Sequence, residues 1–295
     1  MTALPRPLDH LVLPTASLET ARARLTALGF TVAPAAVHPF GTANACVFFA
    51  DGTYLEPLAI ANEKRALEGV SAGNVFVARD AAFRQRRGPE GFSALVFGTD
   101  DALADHEVFV GKGVSAGDIL DFSRGFTDAA GNTGSASFRL AFAADQHAPD
   151  VFFFTCQRVD VPNVDRAALQ SHRNGVTGIA GVVLSAREPA RFSGIVGVAT
   201  GAVASAAGEG PEVRMSAGNT AVEIVGNAQL ASHYGLDPAG DAGLHARAIR
   251  FSVAEIARAS TLLGQSGLAH DIRDGRIVVP PAPGQGAAFI FEESP

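Results

Sequence analysis

The sequence predicts an α+β protein built from four copies of a βαβββ module, arranged as two halves. Three observations predict this fold. Apolar runs of strand length alternate with short segments whose apolar residues recur at helical spacing. The same order of elements appears four times along the chain. The 295 residues, 47% of them hydrophobic, also suffice for two domains of about 150 residues, each with its own core.

The first module is the clearest of the four. Residues 8–14 (LDHLVLP) predict a strand, and Ser17 is placed to cap a helix that ends at Gly29. Asp51-Gly52 predicts a hairpin turn between the second and third of the strands that follow. These three strand-like runs cover residues 30–37, 43–50 and 53–60.

The second module follows a polar connecting segment. Residues 61–91 predict a connection with some helix, and we expect its arginines at 84, 86 and 87 to face solvent. The module itself then comprises a strand at 93–99, a helix near 101–111 capped by Asp100 or Asp101, and late strands at 135–143 and 151–157.

The third and fourth modules follow a linker at 158–176. The third has a strand at 178–185, a helix that starts at Pro189 and a last strand at 219–226. The fourth has a strand at 246–252, a helix that ends near Gly264, and final strands at 276–281 and 287–293. A capping box of Ser252 and Glu255 is expected to start that helix. The two domains are therefore expected at residues 1–160 and 175–295.

Composition excludes several classes of function. The formal net charge of −7 argues against nucleic acid as a partner. Cys46 and Cys156 each lie in an apolar stretch, which fits a reducing compartment better than a disulfide-stabilised secreted scaffold. The N-terminal residues lack the pattern of a signal peptide, and the longest apolar runs are only of strand length. We therefore expect a cytoplasmic protein without a membrane partner.

The local text of the first module identifies a family. The segments DHLVL, LGF, HPFGTAN and GTYLEPLAI between residues 8 and 60, followed by FFTCQ, HRNGVTGIAGVVL and GRIVVPPAPGQGAAFIFEE, resemble the glyoxalase-like branch of the vicinal oxygen chelate superfamily. That superfamily includes glyoxalase I, extradiol dioxygenases, fosfomycin-resistance enzymes and bleomycin-binding proteins. The resemblance implies that modules pair to form half-barrel cups. It also implies that metal ligands come from the first and last strands of a module.

The resemblance places two metal ligands in the first module. By position, His10 on the first strand and Glu56 on the fourth match the ligand positions of the family. Glu56 is also a candidate catalytic residue, with a role as ligand ahead of a role as general base. The alternation of side chains along a strand also puts His10 on one face with Val12, and Glu56 on one face with Tyr54. Tyr54 is therefore a candidate substrate contact. The implied cofactor is a divalent ion, with iron or manganese typical of dioxygenases and zinc or nickel of glyoxalase-like chemistry.

The other modules lack this pair. Ala94 and Phe154 stand at the positions of His10 and Glu56 in the second module. In the third module Gly181 replaces the histidine, although Glu223 matches Glu56, and no partner histidine is visible in the fourth. A third ligand must therefore come from elsewhere, or the metal is absent. The C-terminal half is expected to be degenerate.

The string His38-Pro-Phe-Gly-Thr-Ala-Asn44 is the most distinctive in the chain. One interpretation is a tight turn between strands, which explains Gly41 but not His38. The other is that His38 and Asn44 contact substrate, or that His38 supplies the third ligand and a catalytic group. The remaining histidines in predicted loops and strand edges are expected to be solvated: His147, His172, His233, His245 and His270.

Two functions remain open from the sequence. The first is a metal-dependent enzyme that acts on a small oxygen-chelating substrate, with lyase or isomerase chemistry ahead of ring-cleaving dioxygenase chemistry. The second is a metal-free small-molecule binding or sequestering protein of the bleomycin-resistance type, in which Phe154 on a Phe-rich strand lines the pocket. The partner expected in both cases is a small molecule, and a homodimer is one candidate assembly.

Overall fold

The computed structural model describes residues 4–127, 133–162, 165–206 and 213–293. Within them, the first half of the chain forms a sheet of nine strands: β1 (Leu8–Pro14), β2 (Ala36–Val37), β3 (Thr42–Asn44), β4 (Val47–Phe48), β5 (Tyr54–Ile60), β6 (Ala94–Gly98), β7 (Leu120–Thr127), β8 (Thr133–Ala143) and β9 (Phe152–Asp160). Its helices are α1 (Leu18–Ala27), α2 (Glu63–Ser71), α3 (Val75–Arg87) and α4 (Ala102–Gly111).

The second half forms a separate sheet. Its eight described strands are β10 (Val176–Ser185), β11 (Ser205–Ala206), β12 (Val213–Ala217), β13 (Thr220–Val225), β14 (His245–Val253), β15 (Asp271–Arg273), β16 (Arg276–Val279) and β17 (Ala288–Glu293). Its helices are α5 (Ser193–Thr200), α6 (Asn227–Tyr234) and α7 (Ile256–Gln265), with 3-10 turns at Ala167–Leu169 and Pro189–Phe192.

The two sheets share one strand order. The first runs β2-β3-β5-β1-β6-β9-β8-β7, and its ninth strand, β4, pairs with β5 beside this path. The second runs β11-β12-β13-β10-β14-β17-β16-β15. In each sheet the central pair is antiparallel, β1 with β6 and β10 with β14, and each central strand has a parallel outer neighbour. The predicted α+β class is confirmed.

The two sheets bury one face each in a common core. Leu11 and Leu55 of the first sheet belong to the same cluster of buried side chains as Val182, Phe251 and Phe289 of the second. The opposite face of the first sheet has its own cluster, which includes Val12, Leu58 and Phe154. We call this face the N-terminal cup, and the corresponding face of the second sheet the C-terminal cup. Strands β2 and β7 at the two edges of the first sheet contact each other, so that sheet curves almost into a barrel.

Several predicted elements are confirmed. Ser17 caps α1 by accepting a hydrogen bond from the backbone N–H of Thr20, and Asp101 caps α4. Gly29 and Gly52 adopt positive φ angles of 88° and 89°, as the predicted helix end and hairpin turn require. Pro189 lies at the start of its short helix. Cys46 and Cys156 are both buried and free.

The long strand predicted at 30–37 is wrong in its first six residues, because other groups take its backbone bonds. Arg22 donates from its guanidinium to the carbonyl oxygens of Val32 and Ala33, and the Phe30 ring packs into the common core. The strand predicted at 43–50 is divided into β3 and β4. The predicted capping box is also wrong, because Ser252 stays in β14, paired with Glu292, and Glu255 gives α7 no side-chain cap.

The connecting segment at 61–91 contains two helices, α2 and α3. Its arginines lie in the last turn of α3 rather than in a loop. Arg86 and Arg87 are exposed as expected, Arg84 is half-buried, and all three also bond carboxylates. Arg84 bonds Asp80, while Arg86 and Arg87 both bond the buried Asp150. Among the described residues, no helix is long and apolar enough to cross a membrane.

Candidate functional site

Strands β1 and β5 bring His10 and Glu56 together in the N-terminal cup. The strands are parallel, with His10 opposite Tyr54 and Val12 opposite Glu56, so both polar side chains emerge on the same face. The Nε2 atom of His10 lies 3.3 Å from Oε2 of Glu56. Both residues are buried, at 4% and 5% exposure. Burial removes the water that would solvate this imidazole and this carboxylate. The surrounding residues must supply compensation for that loss through hydrogen bonds and charge.

Asp9 supplies part of that compensation. The register between β1 and β6 shifts between Leu8 and His10, a bulge that turns the side chain of Asp9 towards that of its neighbour. Its Oδ1 lies 2.7 Å from Nδ1 of His10, and its Oδ2 lies 2.7 Å from Arg158. His10 is therefore held on both nitrogens, by Asp9 from behind and by Glu56 from within the cup. Asp9 could not be identified from the sequence, because strict alternation would place it on the other face.

The hairpin between β2 and β3 adds His38 and Asn44 to the same cluster. Nδ1 of His38 lies 2.8 Å from Oγ1 of Thr42, and its Nε2 lies 3.7 Å from Oε1 of Glu56. The side-chain amide of Asn44 donates to the same Oε1 at 2.6 Å. The Glu56 carboxylate thus stands between two imidazoles, each of which contacts a different carboxylate oxygen.

The two interpretations of the HPFGTAN string are compatible. Gly41 has a φ of 93°, and a Cβ there would lie 2.6 Å from Asn62 O and Ala66 N. Only glycine fits so close an approach to the start of α2. The tight turn is therefore real, and it is what brings His38 and Asn44 to Glu56.

The protonation of the cluster follows from burial and charge. Burial alone would lower the pKa of His10, but its bonds to Asp9 and Glu56 outweigh burial and raise it. Burial would likewise raise the pKa of Glu56, but His10, His38 and Asn44 hold it at about 2. Burial lowers the pKa of His38 to about 4. The two carboxylates therefore favour the protonated form of His10, while burial favours the neutral form of His38.

Aromatic rings enclose the cluster. Tyr54 stacks on His10 with ring centroids 4.3 Å apart, and Phe154 meets the same imidazole edge-on at 5.8 Å. Phe40 stacks on His38 at 5.1 Å, and Phe122 approaches it edge-on at 5.8 Å. These rings exclude water from the polar groups, which strengthens every electrostatic interaction among them.

The positions that correspond in the second module are apolar, as the sequence indicated. Val96 lies opposite Phe154 in the parallel pair of β6 and β9, just as Val12 lies opposite Glu56 in the pair of β1 and β5. Phe154 therefore stands where Glu56 stands in the first module. It can offer a substrate only an apolar surface.

The C-terminal cup holds a different arrangement at the same position. Glu223 lies opposite Val183 in the parallel pair of β10 and β13, and its carboxylate accepts a hydrogen bond from Arg250 at 2.6 Å. The hydroxyl of Tyr234 donates to the other oxygen at 3.0 Å. Arg250 also bonds Glu292, and both carboxylates hold its pKa above the usual range despite the opposing effect of burial. The cation opposite Glu223 is therefore an arginine of the chain itself.

Two of the histidines expected to be solvated are buried instead. His172 is 4% exposed because Thr31 and Phe48 of the first half bond both of its ring nitrogens. His245 is 8% exposed and lies with Asp150 and Asp241.

Asp150, Asp241 and His245 form a trio whose ligand atoms all lie within 4.8 Å of one another, the one such group found among the described residues. Its negative charge is already matched, because Arg86 and Arg87 bond Asp150 and Arg87 also bonds Asp241. The guanidinium of Arg87 further lies 3.0 Å from Nδ1 of His245. The trio is therefore part of a charge network that joins the two halves.

The donor set of the N-terminal cup suits a divalent first-row metal ion. Two imidazoles and one carboxylate are typical ligands of such ions. The nitrogens that face away from the carboxylate are bonded by Asp9 and Thr42, which is the outer support that metal-binding histidines usually have. The residues therefore suit a metal by their chemistry, but the ligand atoms of His10, His38 and Glu56 do not all lie within 4.8 Å of one another, and each imidazole contacts Glu56 separately.

Comparison with known proteins agrees with this architecture. The sequence profile described as "Glyoxalase-like domain" matches residues 8–196. No curated protein sequence matches the chain.

Three similar solved structures have the same fold at low identity. A hypothetical protein from Staphylococcus aureus superposes with a TM-score of 0.64 at 12% identity, covering 98% of this chain and 99% of that one. A mutant of 4-hydroxymandelate synthase from Streptomyces coelicolor gives 0.61 at 15% identity, covering 99% and 93%. The Mn(II)-bound glyoxalase from Novosphingobium aromaticivorans gives 0.54 at 9% identity, covering 98% and 83%.

Proposed function

The chain belongs to the family of glyoxalase-like domains, and from that premise we propose that it is a metal-dependent enzyme acting on a small substrate with adjacent oxygen atoms. One observation carries the proposal. Two imidazole Nε2 atoms face a single buried carboxylate, at 3.3 and 3.7 Å, and each imidazole is bonded from behind. His10, His38 and Glu56 would hold the ion.

A bound divalent ion would supply Lewis acidity that stabilises negative charge developing on a substrate oxygen. The residues of the cup orient the donors for that task. Asn44 fixes one oxygen of Glu56, Asp9 fixes the ring of His10, and the rings of Tyr54 and Phe154 keep water out. A proton on Nε2 of His10 would lie between that nitrogen and Glu56, so metal and proton compete for the same nitrogen.

The reaction would be a lyase or isomerase step of the glyoxalase type. A second candidate, ring-cleaving dioxygenase chemistry, is favoured by one specific observation: His38 joins His10 and Glu56, which completes a set of two histidines and one carboxylate. The Mn(II)-bound glyoxalase and the 2,2',3-trihydroxybiphenyl 1,2-dioxygenase among the similar structures give support to both chemistries.

A metal-free binding protein is the alternative function. The observation that favours it is the double pairing of His10 with Asp9 and Glu56, which satisfies the buried charges without any ion. Under this alternative the aromatic rings around His10 and His38 would form the binding surface.

Elemental mass spectrometry of tag-free protein, purified anaerobically without chelators, distinguishes these functions. We expect nearly one metal ion per chain in the native protein and none in His10→Ala, with His233→Ala as a control on an exposed histidine. Iron would indicate the dioxygenase branch, and zinc or nickel the glyoxalase branch, whereas manganese would leave both branches open because a similar structure is a Mn(II)-bound glyoxalase. Native protein that stays metal-free after incubation with each of these ions would overturn the proposal and leave the binding function.

A further inference from the structure

The N-terminal cup is not sealed on every side. Around the buried cluster lies a rim of half-buried side chains: Phe48, Tyr54, Phe122, Arg124, Phe138 and Arg166. We call these six residues the rim. Four of them are aromatic and two are arginines, so the rim offers an apolar surface with two positive charges.

Arg124 lies on the β7 side of the rim. It is two residues beyond Phe122, whose ring is 5.8 Å from that of His38, so alternation along β7 points both side chains into the cup. The guanidinium carbon of Arg124 stands 5.8 Å from the ring centre of Phe138. Burial lowers the pKa of His38, and the positive charge of Arg124 lowers it further. The guanidinium is therefore within electrostatic reach of the cluster.

Arg166 lies against Phe48, another member of the rim. Its guanidinium carbon stands 4.8 Å from the ring centre of Phe48, which contacts Tyr54 at 5.3 Å, and Tyr54 stacks on His10. Burial raises the pKa of the Cys46 thiol, while the charges of both Arg124 and Arg166 oppose that rise. The charges of both guanidiniums therefore reach the buried thiol of Cys46, although the two arginines belong to different segments of the chain.

Neither arginine has a charge partner in the part of the chain that the structure describes. No ion pair or side-chain hydrogen bond among those residues involves Arg124 or Arg166, whereas Arg158 nearby is bonded to Asp9 at 2.7 Å. Guanidinium groups bind carboxylates and phosphates through paired N–H donors. Two unpaired guanidiniums at the entrance of an aromatic cup are suited to an anion that arrives with a ligand.

We propose that the substrate is a small anionic molecule with an apolar body, whose carboxylate or phosphate group is bound by Arg124 and Arg166 while its body lies on the aromatic side chains of the rim. This inference rests on the proposed function, because it places the substrate in the same cup. It narrows the substrate class to anions and assigns two binding residues that lie outside the set of metal donors.

Calorimetric titration with three probes tests this proposal: phenylacetate, phenyl phosphate and the uncharged phenylacetamide. We expect at least one anion to bind about tenfold more tightly than the amide, as expected for a hydrogen bond to a charged group. The variants Arg124→Gln and Arg166→Gln should each lose that preference. Arg187→Gln, on an exposed arginine of the second half, should keep it. Whichever anion binds identifies the acid group.

Equal binding of anion and amide, absence of binding by all three probes, or an anion preference unchanged in both rim variants would each overturn the proposal. The metal content of the same samples separates this test from that of the proposed function. Metal-loaded protein without anion preference contradicts only the rim assignment. Metal-free protein with anion preference lost in Arg124→Gln contradicts only the metal-dependent function.

Discussion

The two cups of this protein carry a glutamate at the same place in the same strand pairing, yet the two glutamates face different nitrogen groups. Glu56 faces His10 and His38, while Glu223 faces Arg250. An imidazole can give up its proton and then offers a lone pair to a metal ion, but a guanidinium stays protonated and offers only donors.

This difference shows how one sheet position serves either a ligand or a structural ion pair. In the C-terminal cup, Arg250 on β14 stands where Val96 stands on β6, because Arg250 pairs with Gly181 as Val96 pairs with His10. The arginine bonds both Glu223 and Glu292, and Arg214 and Arg276 add further positive charge beside these carboxylates. The C-terminal cup therefore contains its own cation.

The strongest test of this comparison is the matched pair Glu56→Gln and Glu223→Gln. We expect Glu56→Gln to weaken metal binding at least ~100-fold, beyond the usual loss from an outer-sphere group. The same substitution should lower the free energy of unfolding by only about 1 kcal/mol, because His10 can become neutral. Glu223→Gln should keep full metal content and lower the free energy of unfolding by about 3 kcal/mol, because the charge on Arg250 remains.

Metal content and urea unfolding of both variants check this pair. The comparison would fail if Glu223→Gln lost metal, or if the two variants had the same effects on both quantities. Circular dichroism of each variant confirms that any loss of metal is not a loss of fold.

Asp9→Asn tests whether the contact of Asp9 with Nδ1 of His10 contributes to metal binding in the N-terminal cup. The amide keeps the shape of Asp9 but removes the charge that orients and polarises the imidazole. We expect about 10-fold to 100-fold weaker metal binding, the usual effect of losing an outer-sphere carboxylate. Asp121→Asn, at an exposed carboxylate of β7, is the control. Unchanged metal affinity in Asp9→Asn would show that the pair with His10 serves only folding.

A smaller effect is expected at the seam between the halves, outside both cups. Nδ1 of His172 accepts from the backbone N–H of Thr31, and its Nε2–H donates to the carbonyl of Phe48, so the ring is neutral. Burial lowers its pKa. The neutral His172 ring therefore stabilises the fold fully above about pH 6.5, the approximate pKa of histidine in the unfolded chain. This stabilisation is lost as the pH falls towards the lower pKa of the folded chain, because in that range only the unfolded chain gains a proton.

We expect His172→Asn to cost about 1 kcal/mol at pH 8 and to reduce the decline of stability between pH 7 and 5. Thermal unfolding at a series of pH values measures this, with His233→Asn as the control on an exposed histidine. An unchanged decline in His172→Asn would mean that other groups cause it.

Much of the fold and part of the site could be predicted from the sequence. Alternation along β1 and β5 together with the family resemblance was enough to place His10 near Glu56, and the HPFGTAN string was enough to mark His38 and Asn44. The absence of a strand at residues 30–35 could not be predicted, because the bonds that replace its strand pairing come from Arg22 on a helix.

Three contacts of charged residues could not be predicted from the sequence, for a common reason. Asp9 depends on a bulge in β1, Arg250 comes from a different module than Glu223, and the contact of Arg87 with Asp241 joins the two halves. Each of these pairings is set by the packing of distant segments, which no local pattern reveals.

X-ray absorption spectroscopy of the metal-loaded protein tests the central claim most directly, because it counts the imidazoles bound to the ion. The account predicts two imidazole ligands in the native protein and in Glu223→Gln, and one in His38→Ala. A native spectrum without imidazole scattering, or one that His38→Ala leaves unchanged, would contradict the assignment of His10, His38 and Glu56 as the metal site.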